Sequence, residues 1–153
     1  MKIAEFLKPE SIISDLIATT KAGVLTELSA SLSKALPSVT PQRLSQVLEE
    51  REKVASTGIG EGVAIPHGKL PGITTLSASF GVSRNGIEFD AIDRKPTHLF
   101  FALVAPENSA GLHLKALARI SRLFKNPSFR ASILAAQSAG EIYALIAQED
   151  AKA

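Results

Sequence analysis

The stretch with the most chemistry in it runs Ser56-Thr57-Gly58-Ile59-Gly60-Glu61-Gly62-Val63-Ala64-Ile65-Pro66-His67-Gly68-Lys69. Its glycines at 58, 60 and 62 allow backbone bends that a side chain would block. The short apolar run Val63–Ile65 reads as a buried strand. It leads into Pro66-His67-Gly68, where proline restricts the approach and pushes Ile65 towards extended geometry. The pattern predicts an imidazole at the end of a strand with bare backbone N–H groups beside it, a nucleophile with an anion cradle. The same glycines would also serve a plain turn. Neither the Walker spacing G-x-x-x-x-G-K-[ST] nor a dinucleotide-binding G-x-G-x-x-G is present.

The other histidines differ in context. His98 opens an apolar run and reads as structural. His113 falls in the first turn of a predicted helix, where the positive end of the helix dipole favours the neutral ring. Arg51 follows the apolar stripe at Val47 and Leu48 and leads straight into the glycine stretch, within reach of an anion held there. Two neutral imidazoles and a guanidinium suggest phosphoryl transfer to a ring nitrogen. Its loose transition state needs donors and a cation more than covalent chemistry. Amides of the glycine loop (Ser56, Thr57, Gly58, Gly60 and Gly68), the His113 N–H and Arg51 would supply them. A two-histidine zinc site is the rival, but no third ligand stands out at suitable spacing. A serine hydrolase is weaker, because G-x-S-x-G is missing.

These residues must be positioned by the elements around them. Ile3–Leu7 reads as a helical turn closed by Pro9, and Ser11–Ile17 as a short first strand. Thr20 caps a predicted helix running to Leu36, and Thr40-Pro41 starts a second that carries Leu44, Val47 and Leu48. Beyond the glycine stretch, Leu76, Ala78, Phe80 and Val82 alternate as in a half-buried strand, and Asn85-Gly86 reads as a tight turn. Leu99–Val104 is apolar on both faces, as a central strand would be. Helices are expected through Leu112–Phe124, from Asn126-Pro127, and from Ser138, whose spacing to Glu141 forms a capping box. The tail after Gln148 is expected to fray. Two helices, a block of strands and three helices predict an α/β fold with a mixed sheet, in a single domain over residues 1–153.

Composition narrows the field. The chain has 153 residues, enough for a substantial core, and a net charge of +2 without a basic cluster of the kind that marks nucleic-acid binding. Cysteine is absent, which removes disulfides and cysteine-based metal or redox chemistry and fits a reducing cytosol. No signal peptide is visible, and the longest apolar run, Leu99–Ala105, is too short to span a bilayer. A cytoplasmic protein is expected, without membrane insertion and without need of a cofactor or metal.

Arg51-Glu52-Lys53, Ser56-Thr57-Gly58-Ile59-Gly60 and Ala64-Ile65-Pro66-His67-Gly68-Lys69 resemble the active-site signature of the enzyme IIA components of the bacterial phosphoenolpyruvate-dependent phosphotransferase system. The likeness is to the fructose/mannitol type, in particular its nitrogen-regulatory branch. Phe89-Asp90-Ala91-Ile92-Asp93, Leu99–Leu103, His113-Leu114 and Ala135–Ser138 extend it over nearly the whole chain. The resemblance implies a three-layer α/β/α sandwich with a mixed sheet and a phosphoryl carrier. It puts His67 on the phosphorylated histidine, with Nε2 as acceptor, His113 on the second active-site histidine and Arg51 on the active-site arginine. It gives His98 no role.

The implied donor is a histidine-phosphorylated, HPr-like carrier protein of the nitrogen branch, charged by enzyme I from phosphoenolpyruvate. The implied readers are regulatory targets: a potassium transporter, a sensor kinase or an alarmone enzyme. No fused carrier, IIB or membrane IIC domain lies within these residues, an arrangement that favours the regulatory reading. The alternatives are a sugar-specific IIA that passes phosphate to a IIB domain, and a binding module that holds an anion without covalent chemistry.

Overall fold

The computed structural model describes residues 1–152. After a 3-10 turn at Ile3–Glu5, the chain forms β1 (Leu7–Ile13), α1 (Lys21–Ala35), α2 (Pro41–Val54), β2 (Gly58–Gly60), β3 (Val63–Ala64) and β4 (His67–Leu70). It continues as β5 (Ser77–Ile87), β6 (Thr97–Pro106), α3 (Ala110–Leu123), α4 (Pro127–Ala135) and α5 (Ala139–Ala151).

The strand order is β1-β5-β6-β3-β2, with β4 also paired to β6. β6 runs parallel to β3 and β4 and antiparallel to β5, so the sheet is mixed. Because side chains alternate across a strand, β6 feeds two cores. Leu99, Phe101, Leu103 and Ala105 join Phe80, Ile120, Phe124, Ile133 and Ile142. Phe100, Ala102 and Val104 join Leu28, Leu32, Leu44, Leu48 and Phe89. Helices α1 and α2 therefore cover one face and α3, α4 and α5 the other, the three-layer α/β/α arrangement.

The helix starts follow the capping chemistry of the sequence. Thr20 accepts from the Gly23 N–H, Thr40 from the Arg43 N–H ahead of Pro41, and Asn126 from the Ser128 and Phe129 N–H groups ahead of Pro127. Ser138 accepts from the Glu141 N–H at 3.1 Å, and the Glu141 carboxylate reaches back to the Gln137 N–H at 2.7 Å.

Three local expectations are corrected. The first strand begins at Leu7 and ends at Ile13, earlier than read, and Pro9 lies inside it. β1 is an edge strand with a register shift between Leu7 and Ile12, the setting in which a strand accepts proline. Asn85-Gly86 is no hairpin turn: β5 continues through it to Ile87, with a register shift between Val82 and Ile87 and Gly86 at φ 81°. The glycine serves a bulge, and the reversal comes later, before Thr97. The tail also holds beyond Gln148. Asp150 is only 2% exposed, accepts the Ile3 N–H at 2.7 Å and lies 2.5 Å from Arg119 Nε.

That carboxylate ties both ends of the chain to α3. Asp150→Ala takes the carboxylate away from Arg119 Nε and the Ile3 N–H, leaving Arg119 only the carbonyl of residue 150, and is expected to cost about 3 kcal/mol of stability. Urea unfolding checks this, and a loss near zero would mean the terminus contributes nothing.

Candidate active site

Four-residue β4 places His67, the candidate nucleophile. Its alternation sends Gly68 and Leu70 towards α2 and leaves His67 and Lys69 for the opposite face. A Cβ on Gly68 would stand 2.4 Å from Val47 Cγ1, so the close seating of α2 on β4 requires glycine there. The Leu103 N–H donates to Pro66 O, and His67 lies opposite Leu103 in the parallel register. In that pattern the backbone N–H groups of His67 and Lys69 point away from β6, on the open edge of β4.

The His67 ring is half-buried, with Nδ1 2.8 Å from Ile65 O. A carbonyl only accepts, so Nδ1 carries the proton and Nε2 keeps its lone pair. The His67 pKa is lowered, first by burial; the Ile65 bond opposes that, Arg51 lowers it further and Glu52 raises it. The ring is neutral at pH 7.

α3 brings the second imidazole from the other helical layer. Its N-terminus follows Ser109, whose carbonyl accepts the His113 N–H at 2.8 Å. The rings of His67 and His113 meet edge-on, with centroids 5.3 Å apart and planes at 78°. His113 is 6% exposed, and among the described residues nothing bonds its Nε2. Its pKa is held down to about 4 by burial first, then by His67 and Lys69. A buried, unpartnered nitrogen beside the His67 ring can take an incoming polar group.

From α2, Arg51 donates Nη1–H to Ala55 O at 2.8 Å and lines the same cleft, a space of about 520 Å³. The structure thus gathers Arg51, His67 and His113, as the sequence suggested; Gly68 lines the cleft too, but its N–H faces β6 and is no cradle donor. The structure adds two cations that sequence reasoning missed, Arg43 and Lys69. Arg43, Val47 and Arg51 fall four residues apart on α2, so helical spacing could have found the arginine. Lys69 stands two residues from His67 on the same face of β4.

The cradle expectation is corrected for the glycine stretch. Ser56, Thr57, Gly58 and Gly60 do not line this cleft. The Thr57 N–H and hydroxyl donate to Glu52 at 2.9 and 2.5 Å, and the Gly58 N–H donates to Ser56 Oγ at 3.1 Å. Ser56 Oγ in turn donates to Phe89 O at 2.8 Å. Those groups are engaged with α2, with Phe89 and with one another, so they are not turned to the cleft. His98 sits apart, with Nδ1 2.9 Å from Ser83 O and its ring against Gly86.

The pH dependence follows from His113. In the unfolded chain its imidazole takes a proton below about 6.5; in the folded protein it does so only near 4. Between those values the unfolded state binds more protons, so stability falls as pH drops through that window. His113→Ala is expected to flatten this slope in urea midpoints measured from pH 7 to 4. An unchanged slope would show that another group sets it.

Comparison with known proteins agrees with this geometry. The family profile described as "Phosphoenolpyruvate-dependent sugar phosphotransferase system, EIIA 2" matches residues 5–149. The chain is similar to a nitrogen regulatory protein of Bradyrhizobium diazoefficiens, at 37% identity over 153 residues, covering 100% of this chain and 99% of that one. It is also 35% identical over 150 residues to a fructose-specific EIIABC component of Bacillus subtilis, covering 98% of this chain but 24% of that longer one. Among solved structures, nitrogen regulatory protein IIA-Ntr of Neisseria meningitidis superposes with a TM-score of 0.88 at 35% identity, covering 94% of this chain and 98% of that one. With the fold, the paired imidazoles and a match over nearly its whole length, the chain belongs to the EIIA type 2 family of the phosphoenolpyruvate-dependent phosphotransferase system.

Proposed function

We propose that His67 Nε2 accepts a phosphoryl group from a histidine-phosphorylated, HPr-like carrier protein, and that regulatory partners read the resulting state. The observation that carries this is the Nδ1···Ile65 O contact of 2.8 Å, which leaves Nε2 as the basic nitrogen in a cleft lined by Arg51, Lys69 and Arg43. In the transfer, the Nε2 lone pair forms the new N–P bond while the donor's N–P bond breaks and its electron pair stays on the donor imidazole. The proton on Nδ1 remains against Ile65 O, and the ring takes up positive charge as the bond forms. Arg51 and the His113 imidazole stabilise the charge on the equatorial oxygens. The outward N–H groups of β4 are further donors beside the ring.

The regulatory output rests on the similarity to nitrogen regulatory proteins over full length. Phosphorylation adds nearly two negative charges at a cleft lined by the exposed side chain of Leu114. A partner that seats an apolar or acidic surface there binds the unphosphorylated form and is released by the phosphate. The second reading is a sugar-specific IIA that feeds a IIB domain, favoured by the 35% identity to the fructose-specific component.

His67→Ala is expected to abolish labelling by the phosphorylated carrier while the fold persists; undiminished label on that variant would overturn the acceptor assignment. Arg51→Ala and His113→Ala are each expected to raise the barrier by about 2–4 kcal/mol, slowing transfer about 30- to 1,000-fold with label still accumulating on His67. Stopped-time labelling measures both, and a wild-type rate in either variant removes that residue from the chemistry.

The two outputs separate in a mixture of labelled protein, sugar and membranes that carry sugar-specific IIB and IIC components. The regulatory reading expects the label to persist. Rapid sugar-dependent loss would make the protein a transport component.

A further inference from the structure

Behind the cleft lies a buried carboxylate that takes no part in the transfer just described. Glu52 is 6% exposed, next to Arg51 in the last turns of α2. Its two oxygens accept the Thr57 N–H at 2.9 Å and the Thr57 hydroxyl at 2.5 Å. Lys21 of α1 lies 3.1 Å from Glu52 Oε1 and 3.3 Å from Asp90, and its ammonium sits 4.8 Å from the Phe89 ring centroid. A buried carboxylate persists only when paired and hydrogen-bonded. Here both conditions are met, by groups from α1 and from the loop after α2.

The two hydrogen bonds close a ring of chain from residue 52 to residue 57. Inside that ring is Ala55, whose backbone leaves the helix in an extended conformation at φ −167°, ψ 145°. Its carbonyl is the acceptor for Arg51 Nη1–H, the one hydrogen bond of that guanidinium among the described residues. Val54, just before it, is 81% exposed and offers no packing to fix the turn. The position of the Ala55 carbonyl, and with it the aim of Arg51, therefore depends on the Glu52–Thr57 closure.

We infer that Glu52 is a positioning residue for phosphoryl transfer: clamped by Lys21, it holds Thr57 and thereby the Ala55 carbonyl that orients the Arg51 guanidinium towards His67. This rests on the transfer reading above, and it gives the Arg51-Glu52-Lys53 and Ser56-Thr57 segments one shared purpose. Glutamine at 52 still offers an oxygen to the Thr57 N–H and an amide to its hydroxyl, whereas alanine offers neither.

The test is a double-mutant cycle on the full chain, with transfer from the histidine-phosphorylated carrier as rate and Arg51 side-chain ¹⁵N–¹H resonances as signature. Glu52→Ala is expected to slow transfer about tenfold through a misplaced guanidinium. Glu52→Gln should recover at least half of the wild-type rate. In the Arg51→Ala background, Glu52→Ala should slow transfer less than about twofold, because the residue acts through the arginine.

Multiplicative losses in the double variant, or glutamine as slow as alanine, would overturn the inference. Thr57→Val removes one of the two bonds and carries the same cycle should Glu52→Ala not fold. The Arg51 Nη signal should be sharp in the wild type and broadened in Glu52→Ala or Thr57→Val; equal sharpness in all of them overturns the positioning role. Because that signature needs no phosphate, failure of the clamp is distinguishable from failure of His67 to accept the group.

Discussion

A single hydrogen bond fixes the tautomer of His67, on which the proposed chemistry depends. Ile65 O lies 2.8 Å from Nδ1 of a ring two residues further on, and that contact decides which nitrogen is free. It exists because Pro66 separates donor and acceptor with a restricted φ while β3 and β4 hold the two flanks against β6. Burial then lowers the ring's affinity for a proton, so the free nitrogen stays basic without becoming charged. The second imidazole is pushed the same way more strongly, to about 4. Two neutral rings can share a small volume, where two imidazolium ions would repel.

The layers of the fold explain how groups from opposite faces of a sheet come to share one cleft. α2 lies on one face and α3 on the other, so Arg51 and His113 would ordinarily be separated by the thickness of the sheet. β4 has only four residues and pairs with β6 alone, so His67 lies at an edge of the sheet, where Arg51 of α2 and His113 of α3 line the same cleft. Gly68 lets α2 come close enough for this. The site is thus built at a place where the sheet stops.

How much of this could be read from residues alone depends on the range of the forces involved. Thr20, Thr40-Pro41, Asn126-Pro127 and Ser138 mark helix starts through contacts within three residues, and each was legible. The doubly apolar Leu99–Val104 signalled the central strand for the same local reason. His67 was legible because Pro66 and Gly68 fix it from both sides. Illegible were features that depend on partners far along the chain. Whether Asn85-Gly86 turns or bulges depends on the pairing with β6, and Asp150 is buried by Ile3, 147 residues away. The glycine stretch misled for a related reason. Its composition announces accessible amides, but Glu52 and Ser56 occupy those of Thr57 and Gly58.

The open margin of β4 has a consequence for self-association. Outward-facing amides on a strand are a template for a strand from another molecule, and here they lie beside the candidate site. Short length limits how many rungs such a ladder could gain, and the exposed charge of Lys69 on the next outward-facing position discourages a neighbour from settling. The lysine that lines the cleft therefore also discourages strand pairing along the edge on which His67 sits.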